Sequence, residues 1–187
     1  MESVDEVLLD SDEKMSKSAA FLIEQFSGIR TGKASPALVE NIEVPYYGTP
    51  TRLREMAGIS TPEPRLIVIN AYDPSVLGEI EKAILAANLG VTPMNDGRVV
   101  RVPIPELSEE RRKEMTKLAK RLAEEGRVAI RNIRRESNEQ IKTLQKNGKI
   151  TEDERDEALK EIQKSTDNYI KQIDEAVKAK ETEIMEV

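Results

Sequence analysis

The sequence predicts an α+β fold, a three-helix bundle interrupted by a small α/β or β-rich domain of about 70 residues. Three observations predict it. All nine prolines lie between Pro36 and Pro105. Six of the nine glycines, Gly32, Gly48, Gly58, Gly78, Gly90 and Gly97, fall in the same middle part of the chain, residues 31–105. The flanking segments instead carry apolar residues at spacings of three and four, the period of a helix buried along one side. Proline and glycine break helices and punctuate turns, so the chain reads as helix, turn-rich insert, then more helix.

The first helix places apolar or small residues at Val4, Leu8, Ser11, Met15, Ala19, Leu22, Phe26 and Ile29, a coiled-coil-like seam. Ser3 with Glu6 has the form of a capping box. Gly32 and Ser35-Pro36 are expected to stop this helix. The insert holds short strand-like runs, "IEVPYYG", "TRLREM", "RLIVINAY" and "VVRVPIP", rich in β-forming residues. Asp-Gly in "NDGR" marks a hairpin. "YDPSVLGEIEKAILAANLG" reads as a short helix, with Asp73 as cap, Pro74 at its first position and Gly90 past its end.

A second long helix is expected after Pro105, with Ser108 as N-cap and Glu109 and Glu110 favourable in its first turn. Its apolar positions are Met115, Leu118, Leu122, Ala129, Ile130, Ile133, Ile141 and Leu144, and Gly148 ends it in a left-handed cap. A third opens on Thr151 and Glu154, another capping box, and continues through Leu159, Ile162, Tyr169, Ile173, Val177 and Ile184. One apolar stripe per helix cannot stand alone, so the three pack together. Residues 1–30 and 106–187 are therefore expected to form the bundle and 31–105 the insert. The two connections, Arg30, Thr31 and Gly32 on one side and Pro103, Ile104 and Pro105 on the other, are expected to form a hinge of restricted direction.

Composition narrows the chemistry. The chain has no Cys and no His, which removes thiol nucleophiles, disulfides, the usual base near neutral pH and the commonest metal ligand. Hydrophobic content of 38% and aromatic content of 3% suit thin, elongated packing. There is no GxxxxGK[ST] loop for nucleotide hydrolysis, and the acids of "EDERDE" (152–157) read as a favourable first helical turn rather than a metal site. No window resembles a membrane span. The acidic start, "MESVDEVLLD", resembles neither a signal peptide nor a transit peptide, so a cytoplasmic location is expected.

The charge is unevenly placed. Net charge is −6, yet residues 111–135 carry ten basic and three acidic side chains, net +7. Four arginines, Arg127, Arg131, Arg134 and Arg135, fall within nine positions. At about 100° per residue, Lys113, Lys117, Lys120, Arg127, Arg131, Arg134, Arg135, Asn138 and Lys142 cover roughly one quarter of the helix circumference, interrupted mainly by Glu124. Leu118, Leu122, Ala129, Ile133 and Leu144 fall nearly opposite. The cationic face is therefore expected to point away from the bundle core, beyond easy reach of the partner helices. Like charges four apart, such as Arg127 and Arg131, cost helix stability. Arginine binds phosphate bidentately, so a phosphate backbone would offset that cost. No recognition-helix motif or base-stacking platform accompanies it: Phe21, Phe26 and Tyr169 lie at or beside seam positions and read as core, and Tyr46 and Tyr47 read better as strand-end packing. The expected contact is with the backbone and shape of a folded RNA. An acidic protein docking on the basic face, and a hydrolase using carboxylates alone, are the competing classes.

"IRTGKASP" (29–36), "YYGTP" (46–50), "VPIPELSEERRKE" (102–114) and "RVAIRNIRRESN" (127–138) together resemble the ribosome recycling factor family, in order and spacing, across essentially the whole chain. Lys33 stands where many members have Arg. The resemblance implies an L-shaped molecule, an elongated antiparallel three-helix bundle with an inserted β/α/β domain on a two-strand hinge. It implies a translation factor rather than an enzyme, with no cofactor. With elongation factor G and GTP, such a factor splits the post-termination ribosome into subunits and releases it from messenger RNA. Its bundle rests on large-subunit ribosomal RNA, and Arg112, Arg131 and Arg134 match the family's RNA-contacting positions. Arg127, Arg135, Lys117 and Lys120 join them here from the stripe alone. A monomer is expected, with no DNA or membrane partner and no metal.

Overall fold

The computed structural model describes residues 2–186. It contains α1 (Val4–Ser27), β1 (Glu43–Tyr46), β2 (Thr49–Arg52), α2 (Leu53–Met56), β3 (Ala57–Glu63), β4 (Leu66–Ala71), α3 (Leu77–Ala86), β5 (Met94–Asn95), β6 (Val100–Pro103), α4 (Glu109–Lys146) and α5 (Glu152–Met185). The chain forms two compact units. One takes in the chain up to Phe26 with Thr116–Glu183, the other Ser27–Met115 and the residues from Ile184 on.

The first unit is a three-helix bundle. Its helix ends follow the local sequence closely. Ser3 Oγ accepts from the Glu6 amide at 3.2 Å, and the Glu6 carboxylate accepts from the amide of Glu2 at 2.9 Å. On α5 the capping box is fully reciprocal: the Glu154 amide donates to Thr151 Oγ1 at 3.1 Å and the Thr151 amide to Glu154 at 2.7 Å. Gly148 takes φ +72°, and the amides of Lys149 and Gly148 return to the carbonyls of Leu144 and Gln145. This is a Schellman termination of α4, which satisfies carbonyls the helix leaves open.

Val7, Ile141, Leu144, Ala158 and Ile162 form one buried cluster drawn from all three helices. Further along, a Cβ on Gly126 of α4 would lie 2.7 Å from Leu22 Cδ2 and 3.4 Å from Ile173 Cδ1, so a side chain there would force Leu22 to shift. Rising numbers in α1 thus meet falling numbers in α4, which makes that pair antiparallel. Val7 clusters with Ala158 and Ile162, and Leu22 meets Ile173 at Gly126, so rising numbers in α1 meet rising numbers in α5 and the two helices run parallel. Thr166 is buried at no polar cost, because its hydroxyl donates to the Ile162 carbonyl of its own helix at 2.8 Å.

Two expectations for α1 fail. The helix stops at Ser27, before Gly32, because Ser27-Gly28 is already a weak helical pair; Ser35 instead caps a short 3₁₀ turn, Pro36–Leu38. Phe21 is 63% exposed rather than core. It follows the buried Ala19 by two positions and precedes the buried Leu22 by one, so the turn carries it off the stripe. Phe26 is buried and Tyr169 half-buried.

The second unit packs an antiparallel sheet, ordered β3-β4-β6-β5, and a separate hairpin, β1-β2, with α3. Strand alternation supplies the core: Ile67, Ile69 and Ala71 of β4 and Val100 and Val102 of β6 are buried with Leu77, Ile80 and Ile84 of α3. "TRLREM" is not one strand. Its first two residues end β2 and Leu53–Met56 make a single helical turn. β3 escapes a reading by β-propensity because Gly58 and Pro62 interrupt it, and its register with β4 shifts between Ser60 and Glu63. At such an irregular place the missing Pro62 donor is tolerated.

The "NDGR" turn joins β5 to β6. There the backbone amides of Val99 and Arg98, and then the Arg101 guanidinium, hold the Asp96 carboxyl down to about 2. A lowered carboxyl pKa favours the fold above the unfolded value of ~3.9, and that contribution is lost as pH falls through the folded value. An NMR titration of Asp96 should give a midpoint of about 2. A midpoint of ~4 would contradict the turn geometry. Asp96→Asn should remove this part of the acid sensitivity.

Among the described residues no helix is long and apolar enough to cross a membrane, and no group of three or more Asp or Glu side chains is placed to hold a metal ion.

Candidate nucleic-acid interface

The 38-residue α4 carries the basic stripe. Its fully buried residues beyond Thr116 are Ala119, Ala123, Ile130, Ser137, Ile141 and Leu144. Leu118, Leu122, Ala129 and Ile133 are only half-buried. The seam thus runs through small residues at Ala119, Ala123 and Gly126, where the helices approach closely, and through Ile130, Ile141 and Leu144 beyond. At about 100° per residue, Arg134 and Arg127 then lie about 50–70° from the middle of the buried stripe, while Lys117 and Arg135 lie about 150° from it. Arg127 and Arg134 therefore flank the helix–helix contact, and the expectation that partner helices cannot easily reach the stripe fails for these two.

Two arginines are indeed held by α5. Arg127 Nε donates to Asp174 at 2.8 Å, with a second contact from Arg127 Nη2 at 2.7 Å. Arg134 Nη1 donates to Gln163 at 3.3 Å. Both are half-buried, their aliphatic stems lying against the bundle. Glu124, the acid that interrupts the stripe, accepts from Arg131 at 3.1 Å and from Arg127 at 3.2 Å. Hydrogen bonds from Arg131 first and Arg127 second hold the Glu124 carboxyl below its ordinary value. Burial acts to lower the Arg127 pKa, but bonds to Asp174 and Glu124 outweigh it and leave the guanidinium more firmly charged.

Lys117, Lys120 and Arg135 are exposed, with no carboxylate partner recorded among the described residues. The stripe therefore has two parts: positioned arginines at its inner edge and open cations at its outer edge. Positioned guanidinium groups lose less freedom on meeting phosphate, while open cations supply field. Asp174 and Gln163 escape the sequence reading because nothing in the pattern of α5 states its register against α4.

Arg112 lies in the second unit, half-buried, with its Nε unpartnered. It lines a cleft of about 100 Å³ with Lys33, Arg65, Glu106, Leu107 and Glu186. Lys33 pairs with Glu186 and Arg65 with Glu106. The six hinge candidates all fall in this same unit. Arg30 Nη2 donates to the Pro105 carbonyl at 2.7 Å, and Pro103 ends β6 opposite Leu66. Thr31 and Ile104 are buried, and the Ile104 amide donates to the Arg65 carbonyl at 2.7 Å. Gly32 takes φ +82°, a conformation that favours glycine.

The comparisons agree with this architecture. The family model for ribosome recycling factor matches residues 22–185. A ribosome-recycling factor of Alkaliphilus metalliredigens is 54% identical over 121 residues, 65% of each chain. One from Listeria welshimeri is 54% identical over 127 residues, 68% of this chain and 69% of that one. The alignments thus span about two thirds of these relatives. A solution structure of a ribosome recycling factor covers both chains completely, at 40% identity and a TM-score of 0.83. A second structure covers 98% of this chain and all of that one, at 41% identity and a TM-score of 0.72; it shows the T. thermophilus factor and E. coli elongation factor G bound to the E. coli post-termination complex. With a family match that takes in the end of α1, the whole insert and both long helices, the chain belongs to the ribosome recycling factor family.

Proposed function

We propose that this protein splits the post-termination ribosome into subunits together with elongation factor G and GTP, freeing it from messenger RNA. The observation that carries the reading is the split character of the α4 stripe. Arg127, Arg131 and Arg134 are pre-positioned by Asp174, Glu124 and Gln163, beside exposed Lys117, Lys120 and Arg135. On this reading the stripe anchors the bundle on large-subunit ribosomal RNA through backbone phosphates. Arg112 is assigned to an RNA contact as the family pattern implies. The structure of a related factor with elongation factor G on a post-termination complex supports the choice of partners.

The mechanism needs no active site in this chain. GTP is hydrolysed on the partner. The insert receives the push, and movement about residues 30–32 and 103–105 turns it into force between the subunits. The factor acts as a cytoplasmic monomer without a cofactor of its own.

The experiment is subunit splitting followed by sedimentation. Post-termination ribosomes, this protein, elongation factor G and GTP should together yield separated subunits, and omitting any one component should abolish the yield. Undiminished splitting without this protein, or none with all components present, would overturn the reading.

A further inference from the structure

Tyr47 sits where a tyrosine is least expected. Tyr46 and Thr49 are paired across the β1-β2 hairpin, so Tyr47 and Gly48 form a two-residue turn. Their φ angles are +49° and +83°. A turn with both central residues in the left-handed region normally takes Asn-Gly or Gly-Gly. A bulky side chain there is an outlier that carries backbone strain. Gly48 is the expected second residue, and Tyr47 replaces the small or short polar first one.

The ring is nevertheless held in one orientation. It meets the Tyr46 ring in a T-shaped contact, 4.7 Å between centroids and 79° between planes. Its hydroxyl donates to Asp73 Oδ2 at 3.2 Å. Asp73 is itself fixed, since the amide and hydroxyl of Ser75 donate to its other oxygen at 3.0 and 2.7 Å. Tyr46 packs against the core of its unit, yet Tyr47 remains 79% exposed. Tyr72, next to Asp73 in the chain, is 73% exposed. Two contacts and a strained backbone therefore hold an aromatic face outward, where it buries little of its own surface.

The surroundings select the partner. No lysine or arginine occurs in residues 44–51 or 66–75, the segments that carry Tyr47, Tyr72 and Asp73, and Asp73 is the charged side chain that touches Tyr47. A nucleic-acid backbone would meet the Asp73 carboxylate here. A protein side chain bearing a cation meets tyrosine faces and a carboxylate, both favourable. Rigid, exposed aromatic rings lose little freedom on binding and dominate protein interfaces for that reason.

We propose that Tyr47, with Tyr72 and Asp73, is a preformed anchor for a protein partner that presents an arginine or lysine. Resting on the recycling reading above, that partner is elongation factor G.

The test uses the full chain and its Tyr47→Asn and Tyr47→Asn/Tyr72→Ser variants. Asparagine suits the left-handed turn, so the thermal midpoint should hold or rise. Binding to isolated large subunits should stay unchanged. The concentration of elongation factor G needed for half-maximal splitting should rise about tenfold or more, as loss of an interface hot spot would give. An unchanged half-maximal concentration would overturn the proposal. So would an equal loss of large-subunit binding, which would make the patch an RNA contact. Ile69→Val, in the core of the same unit, provides a control of lowered stability. A splitting defect that follows stability equally in both variants would assign Tyr47 to the fold and overturn the proposal as well. No splitting by the unaltered chain would instead sink the recycling reading, and the partner's identity with it.

Discussion

Alanine at both Arg131 and Arg134 is expected to weaken binding to isolated large ribosomal subunits by about a hundredfold, roughly 3 kcal/mol. A hydrogen bond from a charged donor is worth ~1.5–3 kcal/mol. Non-additivity within one stripe keeps the pair below the sum of two such bonds. The slope of log affinity against log salt should shrink by ~1–2, because each phosphate contact releases about one counterion. The fold should hardly notice. Arg131 gives up a bond to Glu124, which retains Arg127, and Arg134 gives up a 3.3 Å bond to Gln163. Exposed pairs of this kind contribute ~1 kcal/mol or less. Co-sedimentation across a salt series, beside a thermal melt, reads both quantities. Unchanged affinity and slope with an intact fold would remove the RNA anchor.

Ile141→Ala is expected to destabilise the bundle by ~2–5 kcal/mol. Ile141 is fully buried, and its cluster draws Val7 from α1, Leu144 from α4 and Ala158 and Ile162 from α5. A cavity there touches every helix at once, and none can collapse into it without disturbing the other two. The chain has no cysteine for a disulfide, so packing and helix ends carry this stability alone. Urea unfolding of the bundle's transition measures the loss. A change of less than ~1 kcal/mol would mean that the site relaxes freely, against the close packing described.

Helix ends were the most legible part of the fold. Ser3, Ser108, Thr151 and Gly148 each sit where the sequence places them, because a cap is a bond between residues only a few positions apart. The seam was legible as helical but misplaced in rotation. Leu118 and Leu122 drew the predicted stripe towards large apolar residues, whereas Ala119, Ala123 and Gly126 mark the true contact. Small residues carry little hydrophobic signal, and close approach of two backbones is what selects them. Phe21 was misread for the complementary reason: a large apolar residue one position off the seam looks like core until its direction is known. β3 was missed because Gly58 and Pro62 weaken its propensity, and only pairing with β4 makes it a strand.

The local chemistry of the chain determined the charge concentration on α4, the caps at Ser3, Ser108 and Thr151, the Asp-Gly hairpin turn and the division into helical and turn-rich segments. Each depends on residues within a few positions of one another, or on counts that folding cannot alter. The tertiary structure decided which arginines are held and which are open. Arg127 and Arg134 meet Asp174 and Gln163 across 47 and 29 residues of chain. It likewise turned Tyr47 outward while Tyr46 packs against the core. Those outcomes depend on the register of one helix or loop against another, which side-chain volumes settle only when the elements meet.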